Sequence, residues 1–111
     1  MRRFLMAMFG AIFVWMIVMT TRTSMVQSLW SAGPTFMADP WAVATLWDAY
    51  FGFLTFYVWV AWRERGFGSR VLWFILIMSL GNIAMSGYML IQLARLKPTD
   101  SMETLLRRRT V

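Results

Sequence analysis

The chain has 111 residues, of which 59% are hydrophobic and 14% charged, and its formal net charge is +6. It contains neither cysteine nor histidine, which excludes disulfides, thiolate metal sites, imidazole-ligated haem or chlorophyll and a histidine general base for the chain acting alone. A chain this short cannot bury three helices that are apolar on every face, so an integral membrane protein is favoured over a soluble bundle.

Three apolar stretches define the predicted fold class, an all-α integral membrane protein with three transmembrane helices. The stretches cover residues 4–20, 41–62 and 71–93, and each approaches or exceeds the roughly 20 residues that a helix needs to cross a bilayer. They form one predicted domain, 1–97, followed by a basic C-terminal tail, 98–111. Basic residues flank the apolar stretches, which predicts contact with membrane lipids and no nucleic-acid partner.

The first stretch follows Arg2 and Arg3 and so resembles the start of a signal peptide. No small-x-small cleavage motif follows Thr20, and we therefore predict a retained, rather short span. Within the connection 21–39 a short interfacial helix is predicted, which Gly33-Pro34 stops. The apolar residues at helical spacing behind this prediction are Met25, Val26, Leu29 and Trp30. An irregular loop with one tryptophan anchor is the alternative.

The second span has a clear start signal. Asp39 is a good N-cap, and Pro40 follows at the first helical position, where its missing N–H costs nothing. Trp41 and Trp62 mark the two ends of the span, as an aromatic belt does. The short polar connection 63–70 predicts that the second and third spans form a tight antiparallel hairpin.

Beyond the third span the composition turns polar. Asp100 with Glu103 three residues later resembles a capping box at the start of a two-turn helix. The apolar face of that helix would consist of Met102, Leu105 and Leu106. A disordered basic tail ending in Arg107–Arg109 is the alternative, since isolated helices this short are marginal.

Asp48 is the acidic residue inside a predicted span, and a carboxylate there usually faces protein and has a partner. The interpretation we favour is a helix-packing hydrogen bond, and the alternative is a proton or cation site. The antiparallel hairpin places Asp48 at a depth between Asn82 and Tyr88. The predicted helix-packing polar network comprises Thr45, Asp48, Asn82, Ser86 and Tyr88.

Small residues recur along the predicted spans at positions where two helix backbones could approach closely, which is how helices associate in hydrocarbon. The predicted packing positions are Ala7, Gly10, Ala11, Gly52, Gly81, Ala84 and Gly87.

Several short motifs carry a resemblance to a known family. They are Pro40-Trp41, the run 44–50 (ATLWDAY), Trp59-Val60, Glu64, Leu72-Trp73, the run 81–84 (GNIA) and Gln92-Leu93. Together they resemble an uncharacterised family of small three-span membrane proteins from bacteria and plants, best over residues 40–95. The resemblance implies the three-span fold and draws attention to Asp48. The family has no established activity, so the resemblance implies no mechanism.

The residues favour a non-catalytic accessory or assembly subunit that packs against a larger integral membrane complex of the photosynthetic or respiratory type. The alternative is a small oligomeric transporter or channel in which Asp48 is the coupling site. We predict no catalytic residue, no metal site and no cofactor of its own, and contact with lipid, quinone or pigment at the surface.

The predicted location is a bacterial inner or intracytoplasmic membrane with the N-terminus in the cytoplasm. Five arginines (Arg2, Arg3, Arg63, Arg65 and Arg70) would lie on that side, and the first loop carries only Arg22. With three spans, however, the basic tail would be exported, which opposes the assignment.

Overall fold

A computed structural model describes residues 2–107 of the chain, and every regular element in that range is helical. The molecule is elongated, with extents of 50 × 27 × 23 Å. The elements are α1 (Arg2–Val26), α2 (Leu29–Ala38), α3 (Pro40–Arg63), α4 (Phe67–Leu80), α5 (Asn82–Arg95) and a short 3-10 helix (Met102–Leu106). The predicted all-α class is confirmed. Two of these helices, α1 and α3, are long and apolar enough to cross a membrane.

Helix α1 is longer than the predicted span 4–20. It runs for 25 residues, or about 37 Å at 1.5 Å per residue. No glycine or proline interrupts the polar segment after Thr20, and the helix therefore continues through Met25 and Val26. Those two residues were predicted to belong to a separate interfacial helix, and the structure places them in α1 instead.

Helix α2 occupies the second half of the predicted connection and passes through the expected stop signal, with Pro34 inside the helix. Proline removes only one backbone hydrogen bond here, and both ends of α2 are fixed. The Ser28 side chain accepts a hydrogen bond from the Ser31 N–H at 3.2 Å, and the Asp39 N–H bonds to the Phe36 carbonyl at 3.1 Å. The prediction that Gly33-Pro34 ends the helix was wrong.

Helix α3 matches the predicted second span within one residue at each end. The Asp39 carboxylate accepts a hydrogen bond from the Trp41 N–H at 3.0 Å, as an N-cap does. Pro40 stands in the first turn. Trp41 and Trp62, at the two ends, are both exposed.

The third apolar stretch, predicted as one span over 71–93, is divided at Gly81 into two helices of 14 residues each. Gly81 has φ +57° and ψ −122°, a combination that residues with a Cβ rarely adopt. Each helix is about 21 Å long, which is shorter than the hydrocarbon core of a bilayer. The expectation of a single continuous third helix is therefore corrected.

The two halves fold back on each other as a helical hairpin. The ring centroids of Trp73 in α4 and Tyr88 in α5 lie 4.7 Å apart, whereas in one straight helix the two residues would be about 22 Å apart. The predicted antiparallel packing against the second span is present for α4. Tyr57 donates to the Arg70 carbonyl at 2.8 Å near one end, and Tyr50 to the Met78 carbonyl at 3.1 Å near the other.

The reversal brings helix termini together at one end of the molecule, which we call the basic end. The start of α1, the ends of α3 and α5, the start of α4 and the 3-10 helix meet there. Residues of α1, α3, α5 and the C-terminal segment form an apolar cluster at this end, in which Leu93, Leu96 and Leu105 are buried against Leu5, Phe9 and Trp59. The Gly81 turn, by contrast, lies against Phe53, near the middle of α3.

The backbone at Gly81 yields a prediction about stability. A Cβ built at this position would lie 2.8 Å from Cζ of Phe53, and its φ would remain unfavourable. Gly81→Ala should lower the free energy of unfolding by about 1–3 kcal/mol, measured by denaturation in mixed micelles. Gly52→Ala is the control, because its Cβ would meet nothing within 4 Å.

Adding Phe53→Leu to Gly81→Ala should recover the steric part of the loss and leave the backbone part. If Gly81→Ala is as stable as Gly52→Ala, the turn at Gly81 is not the one described.

Candidate functional site

A group of buried polar side chains occupies the basic end and is the most distinctive polar feature of the molecule. We call it the Arg63–Glu64 cluster, and it consists of Arg63, Glu64, Ser69, Tyr88 and Gln92. Arg63, Glu64, Tyr88 and Gln92 have exposed fractions of 5%, 2%, 0% and 1%. Ionisable side chains are almost never this buried unless they are paired, so we expect each of them to have a hydrogen-bonding partner.

Glu64 connects the end of α3 to both helices of the α4–α5 hairpin. It is the residue that follows α3, in extended conformation, and its carboxylate turns inward. Oε1 accepts a hydrogen bond from Ser69 at 3.0 Å, and Oε2 accepts one from Tyr88 at 2.9 Å. The Glu64 carbonyl accepts a third bond from Nε of Arg70 at 3.0 Å. One residue thereby joins the end of α3, the start of α4 and the middle of α5.

Arg63 connects α3 and α5 to the C-terminal segment. Its Nε donates to Oε1 of Gln92 at 2.8 Å. Its Nη1 lies 2.9 to 3.0 Å from the carbonyl oxygens of Thr104, Leu105 and Arg107. The indole N–H of Trp59, one turn earlier in α3, donates to the Leu105 carbonyl at 3.1 Å.

The C-terminal segment is therefore bound to the helices as far as residue 107. It contains a 3-10 helix where a two-turn α-helix or a disordered tail was predicted. Asp100 folds the chain just before it, because its carboxylate accepts a hydrogen bond from the Lys97 N–H at 2.9 Å. Leu105 is buried, but Leu106, predicted on the same face, is 68% exposed. Arg108 and Arg109 lie outside the described residues.

These contacts make the cluster a junction between helices. A buried guanidinium or carboxylate costs several kcal/mol unless its hydrogen bonds are made, and within residues 2–107 no buried side-chain nitrogen or oxygen atom lacks a partner. Removing one partner would leave another group buried and unsatisfied. The cluster consequently fixes the relative positions of α3, α4, α5 and the C-terminal segment.

The structure does not bring the five residues of the predicted polar network together. Thr45 donates to the Trp41 carbonyl and Ser86 to the Asn82 carbonyl, each within its own helix. The Asp48 and Asn82 side chains are exposed. Tyr88 is buried, but its partner is Glu64, because the reversal at Gly81 carries Tyr88 to the basic end and away from the depth of Asp48.

The predicted small-residue positions fall into two groups. Gly81 and Ala84 are buried and Gly87 is half-buried, and a Cβ at Gly87 would stand 3.4 Å from the Phe13 ring of α1. The positions on α1 and α3 are open: a Cβ at Gly10 or Gly52 would meet nothing within 4 Å. Ala7 and Ala11 are exposed.

Sequence reasoning missed the roles of Arg63, Glu64 and Gln92. Arg63 and Glu64 were assigned to a polar connection, where charged residues are ordinarily solvated. A usable signal was the i, i+4 pair Tyr88 and Gln92, two hydrogen-bonding side chains on one face of an apolar stretch. This pair indicates a contact with Glu64 and Arg63 only if the chain reverses at Gly81. In a continuous helix Tyr88 and Gln92 would lie far from Glu64.

The described residues also bear on metal and cofactor sites. Within residues 2–107 no three acidic side chains come together in the way that metal ligands do. The concave surfaces are open grooves between helices. One of them lies between α4 and α5, with Phe13 of α1 also in its lining, has a volume of about 450 Å³ and is almost wholly apolar.

Fold and site together define an all-helical protein with two membrane-length helices, in which the second of these helices and a shorter helical hairpin are joined by a buried polar cluster. The chain belongs to the family described as protein of unknown function (DUF1475), whose model matches residues 1–109. The resemblance to an uncharacterised family is thereby confirmed, and the match extends beyond residues 40–95 into the basic tail. Comparison with curated proteins and with solved structures found no match.

Two tyrosines provide a matched test of the Arg63–Glu64 cluster. Tyr88→Phe removes the hydroxyl that donates to a buried carboxyl group, and a bond to a charged group contributes about 1.5–3 kcal/mol. Tyr50→Phe removes a hydroxyl that bonds to a carbonyl at an exposed position, and should cost about 0.5–1.5 kcal/mol. Denaturation in the same detergent compares the two. A loss for Tyr88→Phe no greater than that for Tyr50→Phe would contradict the role given to Glu64.

Proposed function

We propose that this protein is a non-catalytic accessory or assembly subunit of a larger complex in a bacterial inner or intracytoplasmic membrane. In this proposal α1 and α3 cross the bilayer, and the α4–α5 hairpin enters from the basic end and returns to it. The third crossing expected from the sequence is replaced by a re-entrant hairpin whose Gly81 tip reaches about the middle of α3. The observation that carries the proposal is the contrast between satisfied polar groups inside and apolar surface outside.

Charge supports the orientation. Eight basic residues lie at the basic end: Arg2, Arg3, Arg63, Arg65, Arg70, Arg95, Lys97 and Arg107. Arg22 alone among the described basic residues lies toward the other end. Lysine and arginine retain the loops that carry them in the cytoplasm, so this distribution favours a basic end that faces the cytoplasm. The tail, which opposed the orientation under three crossings, supports it once the chain reverses at Gly81.

The outer face of α1 supports the proposal that the protein binds a membrane partner. No residue of this helix is buried, and its side turned away from α5 carries large apolar side chains. Phe4, Val14 and Trp15 have exposed fractions of 65%, 60% and 62%. Ala7, Gly10 and Ala11 lie at i, i+3, i+4 spacing and permit close approach of another helix. This surface suits a neighbouring transmembrane helix.

One observation favours the alternative, a small oligomeric transporter or channel. Asp48 is exposed, and its carboxylate forms no hydrogen bond with another residue in the range 2–107. An ionisable side chain within a span is expensive in lipid and is usually functional. In an oligomer this carboxylate would face a second copy of the chain or a water-filled path between copies.

Single cysteines test the topology. We expect Gly68→Cys and Thr99→Cys, both at exposed positions, to react with an impermeant thiol reagent from the same side of the membrane, and Ser28→Cys from the opposite side. The native chain has no cysteine, so the background is clean. Three crossings would instead place position 99 on the side of position 28, and that result would overturn the re-entrant hairpin.

Co-purification tests the accessory role. Gly10→Leu should still insert, because its side chain has room, but should lose a stoichiometric membrane partner in mild detergent. Ala44→Leu, at another exposed small residue, is the control and should keep that partner. Gly87→Leu is a comparison of a different kind: it clashes with Phe13 and should lower the stability of the protein itself.

A homo-oligomer without any larger partner would contradict the accessory role. If Asp48→Asn then abolished ion or solute flux in proteoliposomes, the transporter proposal would replace the accessory role.

A further inference from the structure

The groove between α4 and α5, which α1 also lines, follows the hairpin toward the basic end. Its lining extends from Leu80 and Ile83, beside the Gly81 turn, to Trp73 and Ile91, and we call this second end the mouth. At 1.5 Å per residue the groove is about 10–12 Å long. Ala84 forms part of its floor because a small side chain leaves room between the two helices.

Two arginines lie at the mouth. Arg70 precedes Trp73 by three residues, and Arg95 follows Ile91 by four, so each shares a helix face with a residue of the groove. Side chains lean toward the N-terminus of their helix, which inclines Arg95 back over the mouth and Arg70 outward to the basic end.

The two guanidinium groups differ in how firmly they are held. Nε of Arg70 donates to the Glu64 carbonyl at 3.0 Å, which fixes that side chain against the Arg63–Glu64 cluster. The Arg95 side chain is exposed and forms no hydrogen bond with another residue in the part of the chain that is described. One guanidinium is therefore positioned in advance, and the other is available to close on a ligand.

We propose that this groove binds one acyl chain of an anionic glycerophospholipid, whose phosphate group contacts Arg70 and Arg95. The apolar lining matches a hydrocarbon chain, and the two cations at the mouth match a negative headgroup at the depth where such headgroups lie. A zwitterionic lipid supplies the same chain without the net charge, so selectivity arises at the mouth. The inference rests on the membrane insertion proposed above, and it holds with or without a protein partner.

Fluorescence quenching by brominated acyl chains tests the site. The protein is reconstituted in phosphatidylcholine vesicles that contain a small fraction of brominated phosphatidylglycerol or, in parallel, brominated phosphatidylcholine. The contribution of Trp73 is obtained by difference from Trp73→Phe, which keeps an aromatic ring against Tyr88. We expect the Trp73 signal to be quenched at a lower mole fraction of the anionic lipid. The exposed Trp15 and Trp47 should respond equally to both.

Arginine variants identify the headgroup contact. Removing one basic group weakens attraction to anionic lipid about fivefold, so Arg95→Gln should need about five times more anionic lipid for the same quenching of Trp73. Arg22→Gln, toward the opposite end of α1, should leave the titration unchanged.

Equal quenching of Trp73 by the two lipids, or an equal effect of the two arginine variants, would overturn the lipid site and leave membrane insertion standing. If neither brominated lipid quenched any tryptophan, membrane insertion itself would be refuted.

Discussion

The reversal of the chain at Gly81 is the constraint on which the other contacts depend. It requires a backbone conformation that glycine adopts readily, and it turns a 23-residue apolar stretch into two antiparallel helices. Tyr88 and Gln92 thereby return to the end of the molecule where Glu64 and Arg63 lie. Without the reversal the two polar pairs would be separated by most of a helix length and could not form the hydrogen bonds of the Arg63–Glu64 cluster.

The Arg63–Glu64 cluster in turn fixes the hairpin. Apolar side chains can slide past one another at little cost in hydrocarbon, because lipid is as apolar as leucine. Directional bonds to a buried carboxylate and guanidinium permit one register. The contacts of Glu64 set the register of α4 and α5 against the end of α3, and the three carbonyls around Nη1 of Arg63 hold the C-terminal segment across them. Specificity thus comes from a few polar atoms, while the apolar surface remains available for other contacts.

The sequence predicted those parts of the fold that depend on neighbouring residues. Asp39-Pro40 defined the start of α3 because capping is local, and hydropathy identified α1 and α3. It did not predict the division of the third stretch, since a glycine inside an apolar helix is common and its φ is set by the packing of Phe53 and the closure of the hairpin. Most residues of the candidate site were not predicted, because their burial depends on tertiary structure and not on neighbouring residues. Asp48 attracted attention as a charge within a span, whereas Glu64, at the edge of a loop, became buried only through tertiary structure.

The reversal also changes what the charge distribution means. Read as three crossings, the chain has basic residues on both sides, and orientation by charge is ambiguous. With α4 and α5 returning to the same end, Arg95 and Lys97 join Arg2, Arg3 and Arg63, and Arg22 is left toward the far end. In the orientation proposed above, the same residues would retain the N-terminus in the cytoplasm and place cations beside an apolar groove. The proposed orientation and the proposed lipid site therefore both depend on one turn, because both require the basic residues of α4 and α5 to share an end with those of α1 and α3.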